Sequence, residues 1–194
     1  MAVLAAGEDR STQGEPYRWT RLEYEKMVEI GIFAPEARLE LIEGEILKMA
    51  AHTSYHAAAI TLMQRHLDRI YGLVYHLRVQ LPLAISDNSE PEPDLAVVVG
   101  SPHDYWHLHP TSALLVVEVA YSSLEYDQQY KRDLYARCAI PEYWILNLND
   151  RQLEVYRNPR DGSYQSAHIL RAGDQVAPLS HPDQFIEIAD LLPR

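Results

Sequence analysis

Apolar positions along the chain fall into runs of two different periods. In TSYHAAAITLMQRHLDRIYG, positions His56, Ile60, Met63, Leu67 and Ile70 step by four, three, four and three. That spacing puts all five on one face of a helix. Thr53 or Ser54 can cap its start, and Gly72 can end it. The runs VYHLRVQLPLAI, DLAVVV, LLVVEV, EYWILNL and LEVYR read instead as strands. A second helix is predicted in DQQYKRDLYARCA, with Leu134 and Tyr135 toward the core and Pro141 closing it.

The ends add smaller elements. Thr20-Arg21-Leu22-Glu23 fits a capping box opening a short helix, with Leu22, Met27 and Val28 as its apolar side. RLELIEGEILKM reads as a hairpin around Glu43-Gly44, and Asn149-Asp150-Arg151-Gln152 as the turn of another. YQSAHILR through FIEIADLL offers one or two further strands. The central order of helix, three strands, helix, strand predicts an α/β domain with a mixed sheet.

Composition narrows the picture. With 194 residues, 47% of them hydrophobic, the chain suits one domain over residues 17–194 after a loose tail at 1–16. Cys138 is the single cysteine and makes no internal disulfide. No window reaches the ~18 apolar residues of a membrane span. A cytoplasmic protein is expected. The net charge of -11 argues against a nonspecific nucleic-acid coat, which depends on Lys and Arg. It leaves room for an enzyme that meets nucleic acid at a local patch or through bound cations.

Candidate chemistry lies at the strand ends. Glu118 carries a charge inside LLVVEV, where a lone carboxylate would cost several kcal/mol or more. It must be neutralised, pair with an arginine or lysine across the sheet, or meet a cation. Asp94 opens its strand after Pro93, a position that also suits ordinary turn chemistry. If the two strands are neighbours, the carboxylates converge, and oxygen ligands of this kind suit Mg²⁺ or Mn²⁺.

PEPDLAVVV, LLVVEVAYSS and YDQQYKRDLYARCAIPEYWIL together resemble the Uma-type restriction endonuclease family of the PD-(D/E)XK nuclease superfamily. RLELIEGEIL and the helix bearing His56 share in the likeness, which spans roughly residues 17–157. The resemblance implies a restriction-endonuclease-like αβββαβ core and a hydrolase acting on DNA phosphodiesters. Asp94 and Glu118 would be the metal-binding acids and, by superfamily habit, two copies would form a homodimer. The superfamily's lysine, two positions after the second acid, is replaced here by Ala120. Lys131, in the following helix, is the substitute the resemblance suggests; the plain alternative is a solvated lysine paired with Asp127. The site would thus comprise Asp94, Glu118 and Lys131, with Glu43 and His56 as further candidates. Glu43 also fits a hairpin turn, and His56 an ordinary helix face. Glu142, Tyr143 and Trp144 resemble the family too and read mostly as packing.

Two rival readings stand beside the nuclease. One is a catalytically inactive module of the same fold that binds nucleic acid or a protein partner. The other is a zinc hydrolase, prompted by His52 and His56 four residues apart and by His103, His107 and His109. The glutamate of the H-E-x-x-H pattern is missing from the first group, and no cysteine cluster accompanies the second.

Overall fold

The computed structural model describes residues 15–34, 36–49 and 53–193, so the expected tail lies outside it except for Glu15 and Pro16. In chain order come α1 (Arg21–Glu29), the hairpin β1 (Leu39–Ile42) and β2 (Glu45–Lys48), α2 (Ser54–Tyr71), β3 (Tyr75–Val79), β4 (Leu95–Val99) and β5 (Leu115–Ala120). A broken helix follows: α3 (Leu124–Tyr126), a π-helical turn at Asp127–Lys131, and α4 (Arg132–Arg137). Then come β6 (Glu142–Asn147), β7 (Gln152–Arg160), β8 (Ser163–Arg171), the short β9 (Gln175–Val176) and β10 (Ile186–Glu187), and α5 (Ile188–Leu191).

Strands β3 to β8 form one sheet in sequence order. Its neighbours are antiparallel except β5 and β6, which run parallel and need the helical crossover between them. From α2 to β6 this is the expected αβββαβ core with a mixed sheet. Both faces of its centre are covered. Met63 and Leu67 of α2 pack on Leu95, Val97, Leu115 and Val117. Tyr135 of α4 packs with Ala96, Val98, Val116 and Ala120 on the other side. Burial on two faces is why DLAVVV and LLVVEV are continuous apolar runs rather than alternating ones.

The hairpin turn follows its sequence. Glu43 and Gly44 adopt φ values of 49° and 80°, the positive pair of a tight I′-like turn. A Cβ at Gly44 would also lie 2.8 Å from Arg18 Cβ, so only glycine fits. Thr20 caps α1 as a reciprocal box: its Oγ1 accepts from Glu23 N–H at 3.3 Å, and Glu23 accepts from Thr20 N–H at 2.9 Å.

Three expectations change. On α1, Leu22 and Val28 are exposed and Tyr24 is buried, because the helix docks through that ring and its hydroxyl donates to the Leu39 carbonyl at 3.1 Å. VYHLRVQLPLAI stays in the sheet only to Val79, since Gln80 takes φ 52° and turns the chain away. Near the C-terminus, IEIADLL begins as a two-residue strand and becomes a helix. Its buried Ile188, Leu191 and Leu192 follow the three-and-four helical step.

Candidate active site

Strand register brings the two acids together. Leu95 of β4 lies opposite Val117 of β5, so the next step outward sets Asp94 opposite Glu118. Each carboxylate then accepts from the other strand's main chain. Val119 N–H donates to Asp94 Oδ2 at 2.8 Å, and Asp94 N–H donates to Glu118 Oε2 at 3.3 Å. Both helical layers reach this sheet end. From the first turn of α2, His56 Nε2 lies 3.2 Å from Asp94 Oδ2, and Gln80 Nε2 donates to Asp94 Oδ1 at 3.2 Å. From the opposite layer, Lys131 Nζ and the Tyr135 hydroxyl each donate to Glu118 Oε1 at 3.0 Å. Among the described residues, no arginine pairs with either acid.

Lys131 is buried, not solvated. It reaches Glu118 and also sits 3.1 Å from Glu40 Oε2 of β1, instead of pairing with Asp127. It closes a π-helical turn in which Arg132 N–H donates back to the Asp127 carbonyl, an irregularity often found at functional sites. Asp127 is buried on the same stretch, and Ser123 Oγ donates to its Oδ2 at 2.6 Å. Glu40, Asp94, Glu118, Asp127 and Lys131 line one cavity of ≈ 340 Å³.

Negative charge is in excess there. Burial raises the Glu118 pKa to about 8 against the pull of Lys131, with Asp127, Asp94 and Glu40 pushing it further up. Asp127 is raised to about 6, again mainly by burial, with Lys131 opposing. Burial would also raise Asp94, but hydrogen bonds from His56, Val119 N–H and Gln80 outweigh it and hold that carboxyl low. Burial favours neutral Lys131, yet Glu118, Glu40 and Asp127 together keep it firmly protonated. His56 is raised too, since Asp94 overcomes the effect of burial.

The sequence and the fold have known counterparts. The family model described as "Uma2: Putative restriction endonuclease" matches residues 22–189. The chain belongs to the Uma2 family. Five solved chains match it in structure. One is the crystal structure of a protein from Anabaena variabilis, described as a putative nuclease belonging to DUF820. That chain is 17% identical, with 89% of this chain and 97% of that one covered and a TM-score of 0.70, a likeness of fold. No curated protein matches the chain.

Of the five candidate residues in this Uma2 chain, Asp94, Glu118, Lys131 and His56 come together at one cavity and the fifth lies elsewhere. Glu43 is exposed in its turn, where Arg137 Nη2 donates to it at 2.6 Å, and it does not line the cavity. The hairpin acid at the cavity is Glu40. The signal was present: Glu40 is a charge inside the apolar run LELI, as Glu118 is in LLVVEV. Asp127, which the sequence offers only as a partner for Lys131, is likewise buried at the cavity.

The described zinc candidates are dispersed. His52 lies outside the described residues, and His56 faces Asp94. His107 and His109 line a separate cleft with Arg21 and Glu25. Among the described residues, no group of three or more His, Cys, Asp or Glu side chains stands ready to hold a metal by itself. Tyr143 and Trp144 are fully buried, and Glu142 accepts from Trp144 Nε1 at 2.8 Å, which is packing. Among the described residues no helix is long and apolar enough to cross a membrane.

Proposed function

We propose that this Uma2 protein is a divalent-metal-dependent endonuclease that hydrolyses phosphodiester bonds in DNA. The observation that carries the reading is the interlocked pair Asp94 and Glu118, set among further buried acids with Lys131 as their buried cation. A carboxylate pushed up to about 8 by burial and like charge favours a nearby cation. Carboxylate oxygens suit Mg²⁺ or Mn²⁺, which keep several waters and need only one or two protein carboxylates. Asp94 and Glu118 would hold the ion; once bound, it polarises the phosphate and lowers the pKa of a water.

The chain's own groups have separate tasks. Lys131 keeps a fixed positive charge within 3.0 Å of Glu118, where it steadies negative charge developing on the phosphate and orients the attacking water. This is the task of the lysine that Ala120 replaces. His56 and Gln80 fix the orientation of Asp94, and Glu40 holds Lys131 by its ammonium.

The test is cleavage of plasmid and oligonucleotide DNA with Mg²⁺, with Mn²⁺ and with EDTA. Cleavage is expected only with the metals. Asp94→Asn and Glu118→Gln should each abolish it while circular dichroism and thermal melting show an intact fold. A wild-type protein that binds DNA but cuts none with any divalent ion would overturn the reading in favour of a binding module.

A further inference from the structure

The cavity has a charged floor and an aromatic mouth. Tyr121 and Tyr126 line the same space as Asp94, Glu118 and Lys131. Tyr121 follows β5 directly, and Asn149 Nδ2 donates to its carbonyl at 2.7 Å, which pins the end of the strand. The residue is 51% exposed. One turn beyond Tyr126, Tyr130 is 60% exposed and stacks on it, with ring centroids 5.2 Å apart and planes 24° from parallel. Leu47 and Met49 add apolar surface to the same cavity. Rings left at a mouth keep the free energy of their burial for whatever enters.

Charge decides what that ligand is. Duplex DNA is gripped largely by Lys and Arg on its phosphates, which the net charge of -11 does not favour. Of the cavity's lysines, Lys131 is already committed to Glu118 and Glu40, leaving Lys48. Stacking on aromatic rings adds binding beyond the phosphate contacts that either form of DNA needs, and it is open only to bases that are not already stacked in a duplex. The floor is recessed as well, with Asp94 5% and Glu118 4% exposed. A flexible single strand can bend a phosphate down to it; a stiff duplex must first give up a nucleotide.

We infer that the substrate is unpaired DNA, its bases stacked on Tyr121 and on the Tyr126–Tyr130 pair while the phosphate enters the acidic floor. The inference rests on the nuclease reading for its polymer. Its test is binding rather than cleavage, so the two can fail separately.

The experiment is fluorescence anisotropy on the full chain with Ca²⁺ present. The probes are a short labelled oligonucleotide without self-complementarity and the duplex of the same sequence. The single strand should bind at least about tenfold more tightly, and Tyr121→Ala and Tyr130→Ala should each weaken it by about tenfold. Tyr130→Phe and Tyr130→Trp should retain binding, because the ring and not the hydroxyl carries the contact. Both residues are exposed, so the variants should keep the wild-type circular dichroism. Equal or tighter duplex binding overturns the inference, as does absent single-strand binding or indifference to the alanine variants. Tyrosine-dependent single-strand binding without cleavage in Mg²⁺ or Mn²⁺ supports it while removing the nuclease reading. Duplex cleavage indifferent to the tyrosines does the reverse.

Discussion

Glu118 in VVEVA and Glu154 in QLEVY look alike: each is an acid set in an apolar strand, and each is buried. Their surroundings differ. Glu154 on β7 accepts from four neutral side chains: Gln128 at 2.9 Å, Asn147 at 3.0 Å, Gln152 at 3.2 Å and the Tyr156 hydroxyl at 2.8 Å. Burial pushes its pKa up, but these donors more than cancel that and the group ends below its ordinary value. Glu118 also has donors, yet it shares its space with Asp94, Asp127 and Glu40 and is raised to about 8. Glu142 follows the closed pattern of Glu154, held by Arg157, Trp144 Nε1 and Leu179 N–H. Burying a carboxylate therefore does not mark a site. A structural acid is surrounded by donors, whereas a candidate working acid is surrounded by competitors for the same cation.

The largest expected effect falls on the cation that tempers this competition. Lys131→Met leaves Glu118 and Glu40 buried without a positive partner, and breaking a buried pair in this way costs about 3–5 kcal/mol. Urea unfolding at neutral pH in EDTA measures the loss. Added Mg²⁺ should restore part of it if the acids hold metal. A cost under about 1 kcal/mol would show that Lys131 is not the keystone of the cluster.

A smaller effect separates the two glutamates directly. Glu154→Gln sets an amide nitrogen among groups that all donate, and should cost about 1–3 kcal/mol. Glu118→Gln disturbs hydrogen bonds too, but it also takes an ionisable acid out of a crowded cluster. In metal-free protein its cost should be the lower of the two, read by urea midpoints at constant slope. If Glu118→Gln is the costlier, the repulsion assigned to the floor is absent.

The sequence carried much of the framework and part of the site. The step of four and three fixed α2, and the doubly buried runs located β4 and β5, because those signals are local and periodic. Asp94 and Glu118 were legible because a charge in an apolar run demands a partner. Glu40 makes the same demand in LELI, while the turn at Glu43-Gly44 marks a second acid of the hairpin that the fold leaves exposed. No local pattern could show that β1 delivers Glu40 to a lysine 91 positions later, or that a π-helical turn buries Lys131 and Asp127 together. Those are long-range facts of packing. In the same way nothing in LEVYR tells that its glutamate is sealed by Gln128 and Asn147, which come from other elements.

The smallest effect is on pH dependence, and it tests whether burial acts on acids away from the floor. Glu90 is raised from 4.5 to about 8 by burial first, then by its hydrogen bond to Glu25. The folded protein thus holds a proton there that the unfolded chain releases above about 4.5. Its contribution is fully present below that value and is lost as pH rises through about 8. Glu154, being lowered, has the opposite sign: its contribution is present above 4.5 and is lost as pH falls through its depressed pKa. Melting temperatures of metal-free protein across this range should fall less steeply toward pH 8 in Glu90→Gln than in the wild type. Some slope should remain, since Glu118 titrates in the same window. Glu154→Gln should leave the alkaline side unchanged and flatten the acid side. Parallel curves for Glu90→Gln and the wild type would mean that Glu90 ionises in the fold as it does in the open chain.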